Sequence, residues 1–419
     1  MSFANTGSVY WDNNGNAAAG NGGALFNGTF TGFGNVGIGP SVMPALTSGF
    51  QNVAVGRGAL SNDTTGHDNV ATGSDALSSN TTGQFNVAIG SDTLVANTSG
   101  DDNIASGLNA LDNNTTGHDN VATGVQALFQ NTTGNNNVAT GTNALDHNNA
   151  DDNVATGTNA LEQNTTGTNN IATGTNALTA NTGGGDNVAT GVGALSSNTG
   201  GFGNIATGTD ALAANINGTD DVAVGHDALQ ANTSGNFNQA DGPFSLENNT
   251  TGSDNLATGT NALLQNTTGH DNLADGFNAL LHATGSRNVA LGSGAGQNLT
   301  TGSDNIDIAN PGLAGEAGTI RIGTAAKQSA AFLAGVYGKS VGATSKAVVV
   351  NPNGKLGTAP APAAPLSSNS QTIHRLRAEN HRQSTQLRQQ RAQNRQQSTQ
   401  LRQQDAAIQR LRQQMQNGG

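Results

Sequence analysis

Residues Asn153 to Gly167 read NVATGTNALEQNTTG, and close copies of this phrase follow one another along most of the chain. With the opening Asn as register mark, the copies begin at Asn35, Asn52, Asn69, Asn86, Asn103, Asn120, Asn137, Asn153, Asn170, Asn187, Asn204, Asp221, Asn238, Asn255, Asn272, Asn288 and Asn305. The step from mark to mark is seventeen in fourteen of the sixteen intervals and sixteen in the other two. Random polar tracts do not hold register over such a distance, so disorder is set aside and one stacked structural unit is expected.

Each slot has a physical job. Val154 and Thr156 point one way and Ala155 and Gly157 the other, the period-two signature of a strand. Gly stands four after the mark in sixteen of seventeen copies, as at Gly73, Gly124 and Gly157. That constancy requires a positive φ or a backbone contact too close for a Cβ. Leu stands eight after the mark in fourteen successive copies, Leu60 through Leu280, as at Leu77, Leu128 and Leu161, and is the one bulky apolar group per unit. The marks themselves, such as Asn69, Asn120 and Asn153, are expected to form a ladder of side-chain amides. NTTG reads as a turn in which Asn and Thr bond their own backbone and Gly takes a left-handed angle. The unit is thus a strand, a corner, a second short segment carrying Ala-Leu, and a tight return: one coil of a β-solenoid. Coils stack at about 4.8 Å, so sixteen intervals span roughly 75–80 Å.

Composition agrees with a thin structure. Hydrophobic residues are 34%, aromatics 4%, and 59 residues are Gly, too little bulk for a wide core. One Leu and one Val per coil, at roughly 25 cal/mol/Å², barely offset the ordering of a coil at about 1 kcal/mol or more per residue. Sister chains are therefore expected to supply burial, with the outward Val face turned to a shared axis. The net charge of −12 divides into a tail from Leu366 with nine Arg against two acids (+7) and a body with seven cations against 26 acids (−19). An acidic body argues against nucleic-acid binding. The absence of Cys excludes disulfides and thiolate metal sites. No signal peptide is visible at the N-terminus and no apolar run is long enough for a spanning helix, so no membrane insertion by this chain is expected.

The tail carries a heptad seam. Ile373, Leu387, Leu401 and Ile408 fall at one position, Leu376 and Leu411 at the other, with Asn and Gln between. QSTQLRQQ occurs at 383–390 and at 397–404, two heptads apart. This predicts a coiled coil over 371–416; three strands would match the rod, and the seam by itself allows two.

The repeats resemble the heads of YadA-like trimeric autotransporter adhesins, through NVAVG at Asn52–Gly56 and NVAIG at Asn86–Gly90. They are also similar to repeats of bacteriophage tail-fibre proteins, through TIRIGT at Thr319–Thr324, AAFLAGVYG at Ala330–Gly338 and VVVNPNGKLGT at Val348–Thr358. The resemblance implies an all-β, trimeric parallel β-roll on a helical coiled-coil stalk, and a non-enzymatic homotrimer displayed outside a cell or on a virion tail. It implies attachment to a host-surface or extracellular ligand. The self-cleaving chaperone domain of tail-fibre relatives and the membrane barrel of autotransporters have no counterpart after Thr358, which puts autoproteolysis and self-anchoring in doubt. The expected organisation is a cap or tip over 1–34, the roll over 35–309, a neck over 310–358, a Pro/Ala/Ser linker over 359–370 and the stalk.

Several other features are candidates for sites. Thr72, Thr123, Thr140, Thr156, Thr173, Thr190, Thr207 and Thr258 stack in one slot, which suggests an ice-binding array; Ile38, Val55 and Ile89 in the same slot suggest instead a buried axis. Asp241 and Asp275 share that slot without the ligand set of a metal centre. Asn80, Asn131, Asn164 and Asn266 match glycosylation sequons, although the turn already demands Asn and Thr. His67, His118 and His270 each precede an Asp, but no nucleophile accompanies them, so no catalytic residue and no cofactor is expected. Tyr10, Trp11, Phe26, Phe30 and Phe33 form an aromatic-rich start, read as a cap that closes the first coil or as a docking tip. A self-assembling structural filament is a further class the repeats allow.

Overall fold

A computed structural model describes residues 9–19, 30–324, 327–332, 348–358 and 375–388, with 390, 398, 404 and 408. The chain divides into two compact units, Met1–Lys327 and Gln328–Gly419. The first is built on a parallel β-solenoid. Three-residue strands from Ala17–Ala19 and Val36–Ile38 to Ile306–Ile308 and Ile320–Ile322 pair coil to coil in one sheet. The register is strict: Val154 faces Val138 and Ile171, and Ala155 faces Ala139 and Ala172. Coil-to-coil bonding continues beyond the strands, as in Leu161 N–H to Ala177 O at 3.0 Å and Gln163 N–H to Thr179 O at 3.1 Å. The Ala-Leu segment expected as a second short element is a series of turns.

The interior is closed within the single chain. Ala155, Ala160, Leu161, Asn153 and Asn164 are all fully buried, and their equivalents repeat this along the rod. The premise that a coil lacks an interior of its own is therefore corrected: the bore is narrow enough for two Ala, one Leu and two Asn to fill it. At the first Gly of the repeat, positive φ and close approach coincide. Gly157 has φ +137, and a Cβ there would stand 2.6 Å from the Gly174 carbonyl oxygen. The NTTG Gly is different. Gly167 is not left-handed; it is Gly because a Cβ would stand 2.2 Å from the Gly184 oxygen. The left-handed corners fall instead on Asp152 (φ 61), Asn159 (φ 56) and Leu161 (φ 52). Asn and Asp tolerate that region, whereas Leu does so at a cost of about 1–2 kcal/mol, offset because the corner turns its side chain inward.

Two amide ladders run inside. At the mark, Asn170 N–H and Nδ2 both donate to Asn153 Oδ1 (3.0 and 3.2 Å), and Nδ2 also donates to Gly184 O (2.9 Å). The second ladder is built from the NTTG asparagines: Asn181 Nδ2 donates to Asn164 Oδ1 (2.8 Å) and to Gly184 O (2.9 Å). The Thr after it braces the next coil, Thr165 Oγ1 donating to Thr182 O at 2.9 Å. At the ends of this second ladder its slot turns apolar, with buried Leu46 at the start and buried Ala283 and Leu299 at the finish. The mark ladder begins one coil earlier than the sequence rhythm indicates, at Asn16, whose Oδ1 accepts from Asn35 N–H and Nδ2.

At the N-terminal end, Tyr10–Trp11 pairs antiparallel with Ala17–Ala19, beside the first parallel strand. The second unit contains an antiparallel hairpin, Val348–Val350 with Leu356–Thr358, and a helix over 375–388. The expected neck is thus divided between the units. Of the stalk positions, Leu376 and Leu387 lie 55% and 50% exposed, and Ile408 46%. Ile373, Leu401, Leu411 and the tip residue Phe26 lie outside the described residues, as does the 359–370 linker.

Candidate functional surfaces

Because a small residue, Ala from Val53–Val55 to Val289–Leu291 and Gly37 before them, fills the inward slot of the strands, the residues on either side of it form the outer face. From Val36–Ile38 to Val222–Val224, twelve consecutive strands, every outward position is Val, Ile or Thr except Ser106. No charge and no amide interrupts this face in a chain of net charge −12. Its residues stand substantially open: Ile89 is 48% exposed, Ile171 43% and Val224 40%. The hydroxyls of Thr123, Thr140, Thr156, Thr173, Thr190 and Thr207 make no hydrogen bond among the described residues, unlike Thr165, whose hydroxyl is tied to the backbone. The repeat therefore uses Thr in two ways, one structural and one presented outward. The face is interrupted by Gln239 and by exposed Asp241 and Asp275, which flank Thr258 in register. It resumes at Val289–Leu291 and Ile306–Ile308.

A second surface runs along the turn before the marks at the N-terminal end. Phe33, Phe50 and His67 stack nearly parallel, with ring centroids 5.0 and 4.4 Å apart, and Phe85 meets His67 edge-on at 5.3 Å. Phe33 and Phe85 are about half exposed (51% and 46%), Trp11 is 73% exposed, and Phe30 packs against the core. Phe50 belongs with the aromatic-rich start by residue type, whereas His67 joins this column by position, a connection that residue type does not make. The signal lies in the repeat register: Phe33, Phe50 and His67 each stand two before a mark.

The remaining candidates separate cleanly. His118 and His270 each hold the adjacent Asp at 2.8 Å, and both partners are about half exposed. No group of three ligating side chains is found among the described residues. The sequon residues Asn80, Asn131, Asn164 and Asn266 are fully buried, with amides donated into the bore, so the folded chain offers none of them to a transferase.

Three buried carboxylates stand out electrostatically. Burial pushes Asp221 up to about 8 and Asp63 up to about 7, against hydrogen bonds that pull each down. Asp307 fills an inward Ala slot in the last coils with neither oxygen bonded. Burial, then the nearby Glu316, push it up to about 6; Arg321 opposes this while its guanidinium is engaged by Glu316 at 2.7 Å. Among the described residues no helix is long and apolar enough to cross a membrane. Comparison with known proteins finds nothing that matches this chain: no family model, no curated protein and no solved structure.

Proposed function

We propose that the chain is a non-enzymatic, homotrimeric surface fibre that mediates attachment, with the uncharged Val/Ile/Thr face turned to a common axis. The observation that carries this reading is the twelve-strand face itself. An uncharged Val/Ile/Thr strip of that length, open along twelve coils, is the kind of surface that partners cover. The helix over 375–388, with Leu376 and Leu387 uncovered, supplies a second place for copies to meet. Three copies would turn their variable corners outward, and weak contacts at those corners would add through multivalency. The aromatic column at the N-terminal end is then the tip that meets a host-surface ligand. The alternative that the fibre serves a phage-type tail rests on the TIRIGT, AAFLAGVYG and VVVNPNGKLGT stretches.

Native mass measurement tests the proposal, with three copies expected; a monodisperse single chain would refute it. One observation favours a second reading. The unbonded Thr hydroxyls, in register on one sheet, suit an ordered water lattice, but only if the face is uncovered. A monomer that shows thermal hysteresis would establish ice binding in place of the fibre.

A further inference from the structure

At Asp221 the mark ladder changes chemistry. In the neighbouring coils the amide nitrogen of the mark donates twice: Asn204 Nδ2 reaches Asn187 Oδ1 at 3.1 Å and Gly218 O at 2.8 Å, and Asn238 Nδ2 reaches Asp221 Oδ1 at 3.1 Å and Gly252 O at 2.9 Å. Asp221 keeps the accepting half of the rung. Its Oδ1 takes Asn238 N–H at 2.8 Å, and its own N–H goes to Asn204 Oδ1 at 3.0 Å. Its Oδ2, however, replaces the amide nitrogen that in the other coils donates to the preceding mark's Oδ1 and to a Gly carbonyl, and the equivalent acceptors in this coil are Asn204 Oδ1 and Gly235 O. Asn232 Nδ2 donates to this Oδ2 at 3.1 Å and is shared with Gly235 O, also at 3.1 Å. An ionised carboxylate here sets acceptor against acceptor inside a narrow, filled bore. One proton on Oδ2 restores a donor.

We propose that Asp221 is held in the folded chain as the neutral acid, its proton completing the rung toward Gly235 O, and that this coil is an alkali-sensitive joint of the rod. The groups packed against it from the coil above, the coil below and across the bore are Asn204, Asn238 and Asn232, all neutral; the charged neighbour is Asp220, on the same turn. Burial and the Asp220 charge both push the Asp221 carboxyl upward, to about 8, against the bonds from Asn238 and Asn232. The sign follows from linkage. In the unfolded chain Asp221 ionises in the ordinary carboxylate range, so the folded chain holds one more proton from there up to about 8. The stabilisation is complete below the ordinary range, declines as pH rises, and is lost once pH passes the folded value. Alkalinity therefore loosens the stack between the coils of Asn204 and Asn238 once pH passes about 8.

Infrared difference spectra of the full chain against Asp221→Asn test this directly. At pH 6.5 the difference spectrum should show one carboxylic-acid C=O band in excess in the wild type, beside the Asp63 band common to both chains, and that excess should vanish by pH 9. Asp221→Asn restores the ladder residue, so it should fold and melt at a higher temperature than wild type at pH 9. Amide exchange over residues 204–238, corrected for intrinsic rates, should accelerate with pH in wild type and not in the variant. Asp220→Asn removes a like charge and should move the loss of the band to lower pH. A carboxylate band already present at pH 6.5, or melting curves whose pH dependence is the same in wild type and Asp221→Asn, would overturn the proposal.

Discussion

Replacing Asn170 by Ala asks how much of the fold rests on its buried amides. Asn170 Oδ1 accepts Asn187 N–H and Asn187 Nδ2, each at 3.1 Å. Without it, the Asn187 backbone N–H has no acceptor, and Asn187 Nδ2 keeps only Gly201 O. Gly184 O is not orphaned, because Asn181 Nδ2 still reaches it at 2.9 Å. Two buried donors thus lose an acceptor, at about 1–3 kcal/mol each, so the expected loss is about 2–6 kcal/mol. That is comparable to the cost expected for Leu161→Ala, about 2–5 kcal/mol for a buried Leu. A polar rung should matter as much as the coil's largest apolar side chain. Urea unfolding followed by far-ultraviolet circular dichroism gives the total, and amide exchange over residues 166–190 gives the local value. Thr168→Ala, on an exposed turn side chain, is the control and should change stability by no more than about 0.5 kcal/mol. If Asn170→Ala behaves like this control, the ladders are passengers and the account of the interior is wrong.

Two glycines should respond in opposite ways. Gly157→Ala places a Cβ 2.6 Å from Gly174 O at φ +137 and should split the rod's melting transition, whereas Gly183→Ala meets only Thr166 Oγ1 at 3.4 Å. The second should be neutral or stabilising by up to about 1 kcal/mol; equal losses in calorimetry would count against the close-approach argument. If the proposed trimer forms, Ile171→Asp, on the outer face, should reduce its native mass from three chains to one while the circular dichroism is retained; a mass that stays at three chains would move the proposed interface elsewhere. Asp63, Asp221 and Asp307 are all pushed up, to about 7, 8 and 6, so the folded chain carries excess protons between the ordinary carboxylate range and about 8. Melting temperature should therefore fall from pH 5 to pH 9, and Asn170→Asp should steepen that fall; a rise over the same interval would contradict the sign.

Periodicity exposes the solenoid, its strand and its inward Ala because these rest on side-chain alternation, which a sequence displays directly. What stays hidden depends on the bore. Asn164 reads as turn chemistry, since Asn-Thr-Thr-Gly satisfies every local turn rule; its inward direction is set by a neighbouring coil one full repeat away. Leu161 at φ 52 gives no signal, because Leu is not a residue from which a left-handed corner is inferred. Asn16 escapes the rhythm because Asn35 follows it nineteen positions later, beyond either spacing found among the marks. The self-sufficient interior is hidden for a volumetric reason: counting apolar groups omits the two amides, which fill space and satisfy one another. Of the candidate surfaces, the Thr slot and the aromatic start are legible, but not the unbroken lack of charge across twelve strands, which emerges only when the coils are aligned.

The two short coils show what the ladders accomplish. Between Asn137 and Asn153 one residue is missing from the NTTG corner, which reads NNAD. The mark ladder keeps its backbone rung there, Asn153 N–H still reaching Asn137 Oδ1 at 3.0 Å, while Asn153 Nδ2 turns from that oxygen to Asn148 Oδ1 (3.3 Å) and Gly167 O (2.9 Å), and Asn137 Nδ2 finds the Ala150 carbonyl at 2.8 Å in place of a Gly carbonyl. The second ladder is stretched there, with Asn148 to Asn131 lengthened to 3.5 Å. An interior of Ala and Leu alone would give little to distinguish one register from the next, whereas paired amide bonds to a single oxygen fix it. Length changes are thus absorbed at the corner and forbidden in the stretch from mark to Leu. Inserting Gly after Ala150, which restores the common repeat length, should leave the melting temperature unchanged or raise it, while deleting Thr142 should unfold the surrounding coils. Equal sensitivity at the two places would show that the register is held by something other than the amides. If the corners are also where the proposed fibre would meet a ligand, the part of the repeat free to vary is the part that faces outward, and binding could change without disturbing the rod.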